Sequence, residues 1–347
     1  MFLTFKEIPP LDKQVGEWVK AYIDTLTKPP GSLGRLEEIA IQLAEMTSER
    51  FPTVTPPGVI VFAADHGIVK EGVSAYPQNV TAQMVLNILN GGAAINVFSR
   101  QIGAIFDIVD VGVAVDIQIE GLTNRKIRFG TGNFCEQDAM SRAEAEQALT
   151  VGYEQAEKMI QQGIKCLIIG EMGIGNTSAS SAILAVLNEG KLGGLVGVGT
   201  GIPTEKLVEK GRIIERGIIN RNPDPRDPLD VLAKVGGLEI AAMAGAMLSA
   251  AANRIPILVD GFICTTAAII AKAICPTAND YMITAHQSVE TGHKVAIQLL
   301  EREPILNLGF RLGEGTGAAI AFPILESATL MVKEMATFSS AGISNKK

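Results

Sequence analysis

Two glutamates stand between glycines in otherwise apolar sequence, an arrangement suited to acid–base chemistry. Glu314 lies in residues 312–317 (LGEGTG), and Glu171 lies in residues 170–175 (GEMGIG). Partial desolvation raises the pKa of a carboxyl group toward the range that is useful to a general base. We therefore expect Glu314 to be a general base, with a turn that carries an exposed acid as the alternative.

The segment around Glu171 continues as residues 170–178 (GEMGIGNTS), which follow one predicted strand and open a predicted helix. Backbone amides and the helix dipole hold phosphate at such a junction, and Asn176 and Thr177 add donors. The segment is neither a Walker A loop nor a G-x-G-x-x-G fingerprint. A second glycine-rich segment precedes a helix with Lys210, which would meet a phosphate as a point charge unless it is merely solvated. We favour a ligand loop over a purely structural link.

Residues 72–83 (GVSAYPQNVTAQ) suit the recognition of a flat base. Tyr76 offers an aromatic wall, while Ser74 and Gln83 offer hydrogen-bonding groups, and binding pockets combine such walls with a few placed polar groups. An ordinary helix-entry loop with a polar cap is the alternative.

Polar residues also follow three other predicted strands, where acid–base, positioning or ligand-contact roles are expected. A capping residue in a turn is the alternative for each aspartate, and a satisfied polar side chain is the alternative for the second histidine. These residues are Asp65 and His66 after the first strand, Asp260 after the fifth, and His286 and Ser288 after the sixth.

A repeated order of strand and helix must position these segments. This alternation predicts an α/β fold with a parallel sheet and helices on both faces. Right-handed crossovers then place the strand C-termini at one edge, where ligands bind. The predicted strands are 58–64, 104–109, 165–170, 195–198, 255–259 and 281–284. The helices predicted between them are 80–98, 142–162, 178–188, 204–219, 238–253, 267–274 and 289–300.

The two ends of the chain read as helical. Apolar residues at helical spacing predict helices over 15–26 and 33–46, separated by the breaker KPPGS, with Ser32 as an N-cap. A last helix over 318–335 is expected to join them. We therefore predict a small helical domain from residues 1–55 with 304–347, and a catalytic α/β domain from residues 56–303.

Composition narrows the functional class. Aliphatic residues dominate an apolar fraction of 47% with 5% aromatics, as in buried parallel sheets. A net charge of −7 without a basic stripe argues against nucleic acid. Polar residues interrupt the long uncharged stretch 72–99, which excludes a membrane span there. The four cysteines lack metal-ligand spacing, and the N-terminus lacks a signal-peptide pattern, so we expect reduced thiols in a cytoplasmic protein with no metal.

Several ordered blocks together resemble the nicotinate-nucleotide–dimethylbenzimidazole phosphoribosyltransferase family. They extend over nearly the whole chain, which makes the combination far more specific than any one block. The blocks are KPPGSLG at 28–34, FAADHGI at 62–68, EGVSAYPQNVTAQM at 71–84, FGTGN at 129–133, GEMGIGNTSAS at 170–180, DGF at 260–262, HQS at 286–288 and GEGTGAA at 313–319.

The resemblance implies a Rossmann-like domain, a small helical domain from both termini, and a homodimer with its sites near the interface. It implies no cofactor. It places the catalytic glutamate on Glu314. The implied phosphate and ribose contacts are Glu171, Gly173, Gly175, Asn176, Lys210, Asp260 and Ser288, beside the loop donor Thr177 that we also expect to bind substrate. The implied base pocket is Ser74, Tyr76, Gln83 and Leu312.

The implied reaction moves the 5-phosphoribosyl group of nicotinate mononucleotide onto 5,6-dimethylbenzimidazole, which gives α-ribazole 5'-phosphate and nicotinate. The quaternary ring nitrogen departs as a neutral pyridine, so neither a leaving-group acid nor a metal is needed. The incoming base loses a ring proton, which calls for one carboxylate. Glu171 would stabilise the cationic sugar, so both glutamates are expected to be catalytic. Attack opposite the departing nicotinate converts a β-linkage to an α-linkage.

Three alternatives to this interpretation stay open, and the first of them is an enzyme of the same class. The same reaction on another base, such as a phenol, cresol or adenine, would change only the pocket around Tyr76 and Gln83. The second is a non-catalytic nucleotide-binding partner subunit, which the loss of Glu314 or a change in the GEMGIGNT loop would indicate. This sequence keeps both Glu314 and the loop. A dinucleotide oxidoreductase is disfavoured because no G-x-G-x-x-G opens the first helix after the first strand.

Overall fold

A six-stranded parallel sheet forms the centre of the protein, whose computed structural model describes residues 5–344. β1 and β4 are buried along their whole length, which is why their sequences are continuous apolar runs rather than alternating ones. The α/β prediction is therefore confirmed. The strands are β1 Pro57–Ala64, β2 Ile105–Gly112, β3 Thr123–Asn124, β4 Cys166–Met172, β5 Ile257–Val259 and β6 Met282–Thr284.

The strand order is β3-β2-β1-β4-β5-β6, which is the Rossmann order. The chain winds outward from β1 to β3 and then returns to place β4 beside β1. The connection after β1 therefore leads toward one edge of the sheet and the connection after β4 leads toward the other. This divergence opens a crevice at the C-terminal ends of the two strands. This edge is where the sequence places its glycine-rich polar segments.

Helices cover the sheet and extend beyond it. α9 is the most deeply placed, since its alanine-rich residues are buried on every side between the sheet and α5. The helices are α1 Lys13–Ile23, α2 Arg35–Thr47, α3 Val80–Leu89, α4 Ala94–Gln101, α5 Arg142–Gln161, α6 Asn176–Leu187, α7 Leu207–Arg221, α8 Pro228–Val235, α9 Leu238–Ala252, α10 Phe262–Ile274, α11 His293–Leu300 and α12 Thr316–Glu334.

α12 connects the two ends of the chain to the sheet. It packs on α1 and α2, and its other contacts include α4, β4 and β5. Its N-terminus therefore meets the strand ends at which ligands are expected. The division into a helical domain (1–55 with 304–347) and an α/β domain (56–303) stays a prediction, and residues 1–4 and 345–347 of it lie outside the described residues.

Two predicted elements are wrong for a local backbone reason. Residues 195–198 do not form a strand: residue 195 ends a turn and residues 196–198 are irregular, and Gly194, Gly199 and Gly201 on either side adopt positive φ, which strands rarely accommodate. The single helix predicted over 80–98 is divided into α3 and α4 by a turn at Gly91, where φ is +75°.

Other corrections concern ends and short elements. Ser32 is not the cap of α2, because that helix begins at Arg35 after Gly34. The sequence analysis also missed β3 and α8. The start of α8 had a readable signal, since Asp227 accepts hydrogen bonds from the first-turn amides and Pro228 occupies the first helical position.

Candidate active site

The C-terminal ends of four strands bring the chemically active side chains of the sequence analysis to one edge of the sheet. All of these side chains are buried, so this edge of the sheet carries a cluster of polar groups that is shielded from solvent. The residues are Asp65 and His66 after β1, Glu171 in β4, Asp260 after β5, His286 and Ser288 after β6, and Glu314 just before α12.

Asp260 holds the Glu314 turn in place. Its two carboxylate oxygens accept hydrogen bonds from the backbone amides of Gly315, at 3.2 Å, and Ala318, at 2.9 Å. Asp260 therefore does cap a helix, as the alternative interpretation has it, but the helix is α12 rather than α10, which follows it in the chain. Its direct contact with ribose stays a prediction.

Glu314 is fixed in a strained and buried conformation. Its φ is +61°, which is rare for a residue with a side chain and costs about 1–3 kcal/mol. Its carbonyl oxygen lies so close to Gly170 that a Cβ on that glycine would collide with it. The side chain is 5% exposed, so the reading of Glu314 as an exposed acid is wrong.

The surroundings of Glu314 suit a base. Burial raises the pKa of its carboxyl group, the backbone N–H of Ile95 in the first turn of α4 lowers it in part, and nearby Asp260 raises it further. The Oε2 atom is buried and has no hydrogen-bond partner among the described residues. This oxygen is free to accept a proton from a ligand.

Glu171 lies directly beside the Glu314 turn. Its Oε2 accepts a hydrogen bond from the Asn176 amide group, and its Oε1 lies 3.4 Å from the backbone nitrogen of Glu314. Burial raises the pKa of Glu171 well above its usual range, and the charges of Glu239, Asp260 and Glu314 raise it further, while the hydrogen bond from the backbone N–H of Glu314 lowers it in part. A cationic sugar beside Glu171 would favour its carboxylate form.

Glu239 is a site residue that the sequence analysis missed. It projects from α9, and its Oε1 lies 2.7 Å from Nε2 of His66. The two side chains are 0% and 1% exposed, so this pair lies beneath the floor of the site. A lone glutamate in the apolar, alanine-rich sequence of α9 was the available signal.

The N-terminus of α6 and Lys210 together form a candidate phosphate cradle. α6 begins at Asn176 directly after the glycine-rich turn, so its positive dipole end faces the crevice. The ammonium of Lys210 lies 3.2 Å from both the Thr177 hydroxyl and the Gly197 carbonyl oxygen. The side chain is 2% exposed, so the solvated reading of this lysine is wrong. Burial lowers its pKa to about 8, against the opposing effect of Glu290.

A loop over residues 197–201, here called the cradle loop, joins the phosphate cradle to the predicted base segment. The Thr200 hydroxyl lies 3.1 Å from the Ser74 hydroxyl, and Arg311 donates to the Gly199 carbonyl oxygen at 3.2 Å. Tyr76 and Leu312 are 53% and 60% exposed, and Gln83 is also exposed. The assignment of these three residues to a base pocket stays a prediction.

Other sequence expectations concern metals, thiols and membranes. Within residues 5–344, no group of three or more histidine, cysteine or acidic side chains is placed to hold a metal ion, and a metal-free reaction stays a prediction. The four cysteines are free thiols, and three of them are buried. None of the helices described here combines the length and the apolar character needed to cross a membrane.

Known proteins are similar to this chain over nearly its whole length. The family model described as phosphoribosyltransferase matches residues 8–343. The nicotinate-nucleotide–dimethylbenzimidazole phosphoribosyltransferase of Chloroflexus aggregans is 49% identical over 99% of this chain and 98% of its own. The protein with that name from Halalkalibacterium halodurans is 51% identical over 96% and 94%. The crystal structure of CobT from Thermus thermophilus superimposes with a TM-score of 0.92 at 42% identity, covering 96% of this chain and 100% of that one.

Proposed function

Because the chain belongs to the nicotinate-nucleotide–dimethylbenzimidazole phosphoribosyltransferase family, we propose that its site transfers the 5-phosphoribosyl group of nicotinate mononucleotide to 5,6-dimethylbenzimidazole. One observation supports this most directly. Two buried glutamates with raised pKa values, Glu171 and Glu314, lie side by side at the strand edge that carries a lysine-containing phosphate cradle. Both glutamates belong to segments that the family blocks include.

The cradle anchors the mononucleotide through its phosphate. The charge of Lys210, the dipole of α6 and the donors of Asn176 and Thr177 hold the 5'-phosphate, so its binding energy positions the ribose C1 atom. The bond from C1 to the nicotinate nitrogen breaks, and the electron pair leaves with nicotinate as a neutral pyridine nitrogen. The developing positive charge on the ribose faces Glu171, which stabilises it as a carboxylate.

Proton removal by Glu314 completes the reaction. A ring nitrogen of the base attacks C1 on the face opposite the departing nicotinate, which produces the α-linkage. The N–H proton of the base moves to Oε2 of Glu314, and the product leaves as α-ribazole 5'-phosphate. Asp260 acts through the backbone, because its capping bonds fix the turn that carries Glu314.

The function and its alternatives are tested by product identification. The protein is incubated with nicotinate mononucleotide and, separately, with dimethylbenzimidazole, a phenol, a cresol and adenine, and the products are identified by mass. We expect α-ribazole 5'-phosphate and nicotinate to form fastest. Preference for a phenol or adenine would change the base but not the reaction, whereas no product with any base would support a non-catalytic subunit.

Replacing Lys210 with alanine is expected to raise the KM for nicotinate mononucleotide by about 10–100-fold, because one charged hydrogen-bond donor worth about 1.5–3 kcal/mol is lost. Steady-state kinetics measure this change. Lys206→Ala is the matched control, since Lys206 is an exposed lysine four residues earlier. Equal KM values for the two variants would remove Lys210 from the site.

Two further properties follow from the family. We infer a homodimer with its sites near the interface, and sedimentation at micromolar concentration tests this assembly. A fully active monomer would contradict it. We also infer a cytoplasmic location, which free thiols suit, and fractionation of cells that express the chain tests that inference.

A further inference from the structure

Glu290 is a buried acid next to the phosphate cradle, and the reaction described above does not use it. It lies in the turn between β6 and α11 and is 6% exposed. Neither of its carboxylate oxygens has a hydrogen-bond partner of good geometry among the described residues. Since buried carboxylates are ordinarily paired or hydrogen-bonded, this one needs an explanation.

The contacts of Glu290 place its carboxylate in the wall of the cradle. Gly197 packs so tightly on it that a Cβ on that glycine would collide with Oε2 of Glu290. The carbonyl oxygen of this same Gly197 accepts a hydrogen bond from the Lys210 ammonium. Lys210 of α7 and Arg311, in the loop before α12, are the charged groups that act on Glu290, and the backbone N–H of Gly199 also faces it.

A bound phosphate makes the net charge of the cradle more negative. Before a ligand binds, the carboxylate of Glu290 raises the pKa of Lys210 and so opposes the lowering caused by desolvation. A bound phosphate, with a second pKa near 6, adds almost two negative charges beside this buried carboxylate. Like charges in a buried site disfavour each other, and a proton on one of them relieves the repulsion. Burial already raises the pKa of Glu290, which is the direction that proton uptake requires.

We propose that Glu290 is a proton-accepting residue of the cradle, which helps to keep Lys210 charged before a ligand binds and takes up a proton from solvent when the 5'-phosphate binds. The inference rests on the proposed function, because it requires the phosphate to lie at Lys210. One proton moves from water to a carboxylate oxygen of Glu290, and no other bond changes. The cradle thereby couples the binding of a phosphate dianion to the uptake of one proton.

Infrared difference spectroscopy tests this proposal on the intact protein. Spectra are recorded with and without nicotinate mononucleotide at pH 7, where the phosphate, with a second pKa near 6, is mostly a dianion and Lys210, with a pKa of about 8, is mostly charged. We expect a protonated-carboxyl band to appear on binding to the unaltered protein and to be lost in Glu290→Gln. The band should persist at a shifted frequency in Glu290→Asp, which keeps the acid. Nicotinate riboside, which lacks the phosphate, should produce no such band.

The matched control is Glu37→Gln. Glu37 is also a buried glutamate facing a lysine, with its Oε1 2.8 Å from the Lys28 ammonium, but it lies on α2, away from the cradle. This variant should keep the band. Bound mononucleotide without the band in the unaltered protein, or an undiminished band in Glu290→Gln, would overturn the proposal. Failure of the unaltered protein to bind the mononucleotide, measured by calorimetry on the same sample, would instead contradict the proposed function.

Discussion

Replacing Glu314 with glutamine is expected to lower turnover by about 10²–10⁴-fold, the usual contribution of a general base, while both substrates still bind nearly normally. Glutamine preserves the shape of the side chain but cannot accept the proton of the base at Oε2. Because Glu314 is buried in a strained turn, water or a neighbouring acid would not easily take over its role as the base. Single-turnover kinetics with mass detection of α-ribazole 5'-phosphate measure the loss, and calorimetry measures binding.

A pH profile separates loss of the base from a general disturbance. The pKa of Glu314 is raised by burial, and only its deprotonated form accepts a proton, so kcat of the unaltered protein should fall as pH decreases through that raised pKa. Glu314→Gln should lose this limb. Glu334→Gln, at the exposed end of α12, is the control and should retain it. If Glu314→Gln keeps near-normal turnover, the base lies elsewhere, and Glu171 becomes the first candidate.

Gly170→Ala should reduce turnover by about 10²-fold, because displacing a catalytic group by roughly an ångström costs about that much. The new methyl group would collide with the carbonyl oxygen of Glu314, and that turn has to move because β4 is held on both sides by β1 and β5. We expect a larger decrease in kcat than in the affinity for nicotinate mononucleotide, since the cradle at α6 lies beyond the strand. Steady-state kinetics measure both quantities.

Gly193→Ala provides the control for this substitution. A Cβ at Gly193 has no neighbour within 4 Å, so we expect no change in kcat or in thermal unfolding. Thermal unfolding of Gly170→Ala shows whether lost activity reflects a displaced turn or an unfolded protein. A folded Gly170→Ala protein with normal kcat would show that the position of the Glu314 turn does not limit the reaction.

Sequence alone predicted the elements that local patterns specify. The strands at 58–64 and 165–170 were placed within two residues at each end, because strands buried on both faces are continuous apolar runs bounded by glycine or proline. Glu171 and Glu314 were proposed as site residues for a similar reason, since a charged residue among glycines is a local feature, and their roles stay a prediction. The family resemblance then supplied the substrate, which no local pattern specifies.

Tertiary structure alone decided what the polar side chains contact. Lys210 looked like one of several helix lysines, and only the cradle loop makes it a buried cation. The capping of α12 by Asp260 joins residues 55 to 58 positions apart, and the pairing of Glu239 with His66 joins residues 173 apart. Burial and hydrogen bonding depend on which segments meet in space. These tertiary contacts depend on the whole fold, whereas the patterns that predict helices and strands depend only on neighbours along the chain.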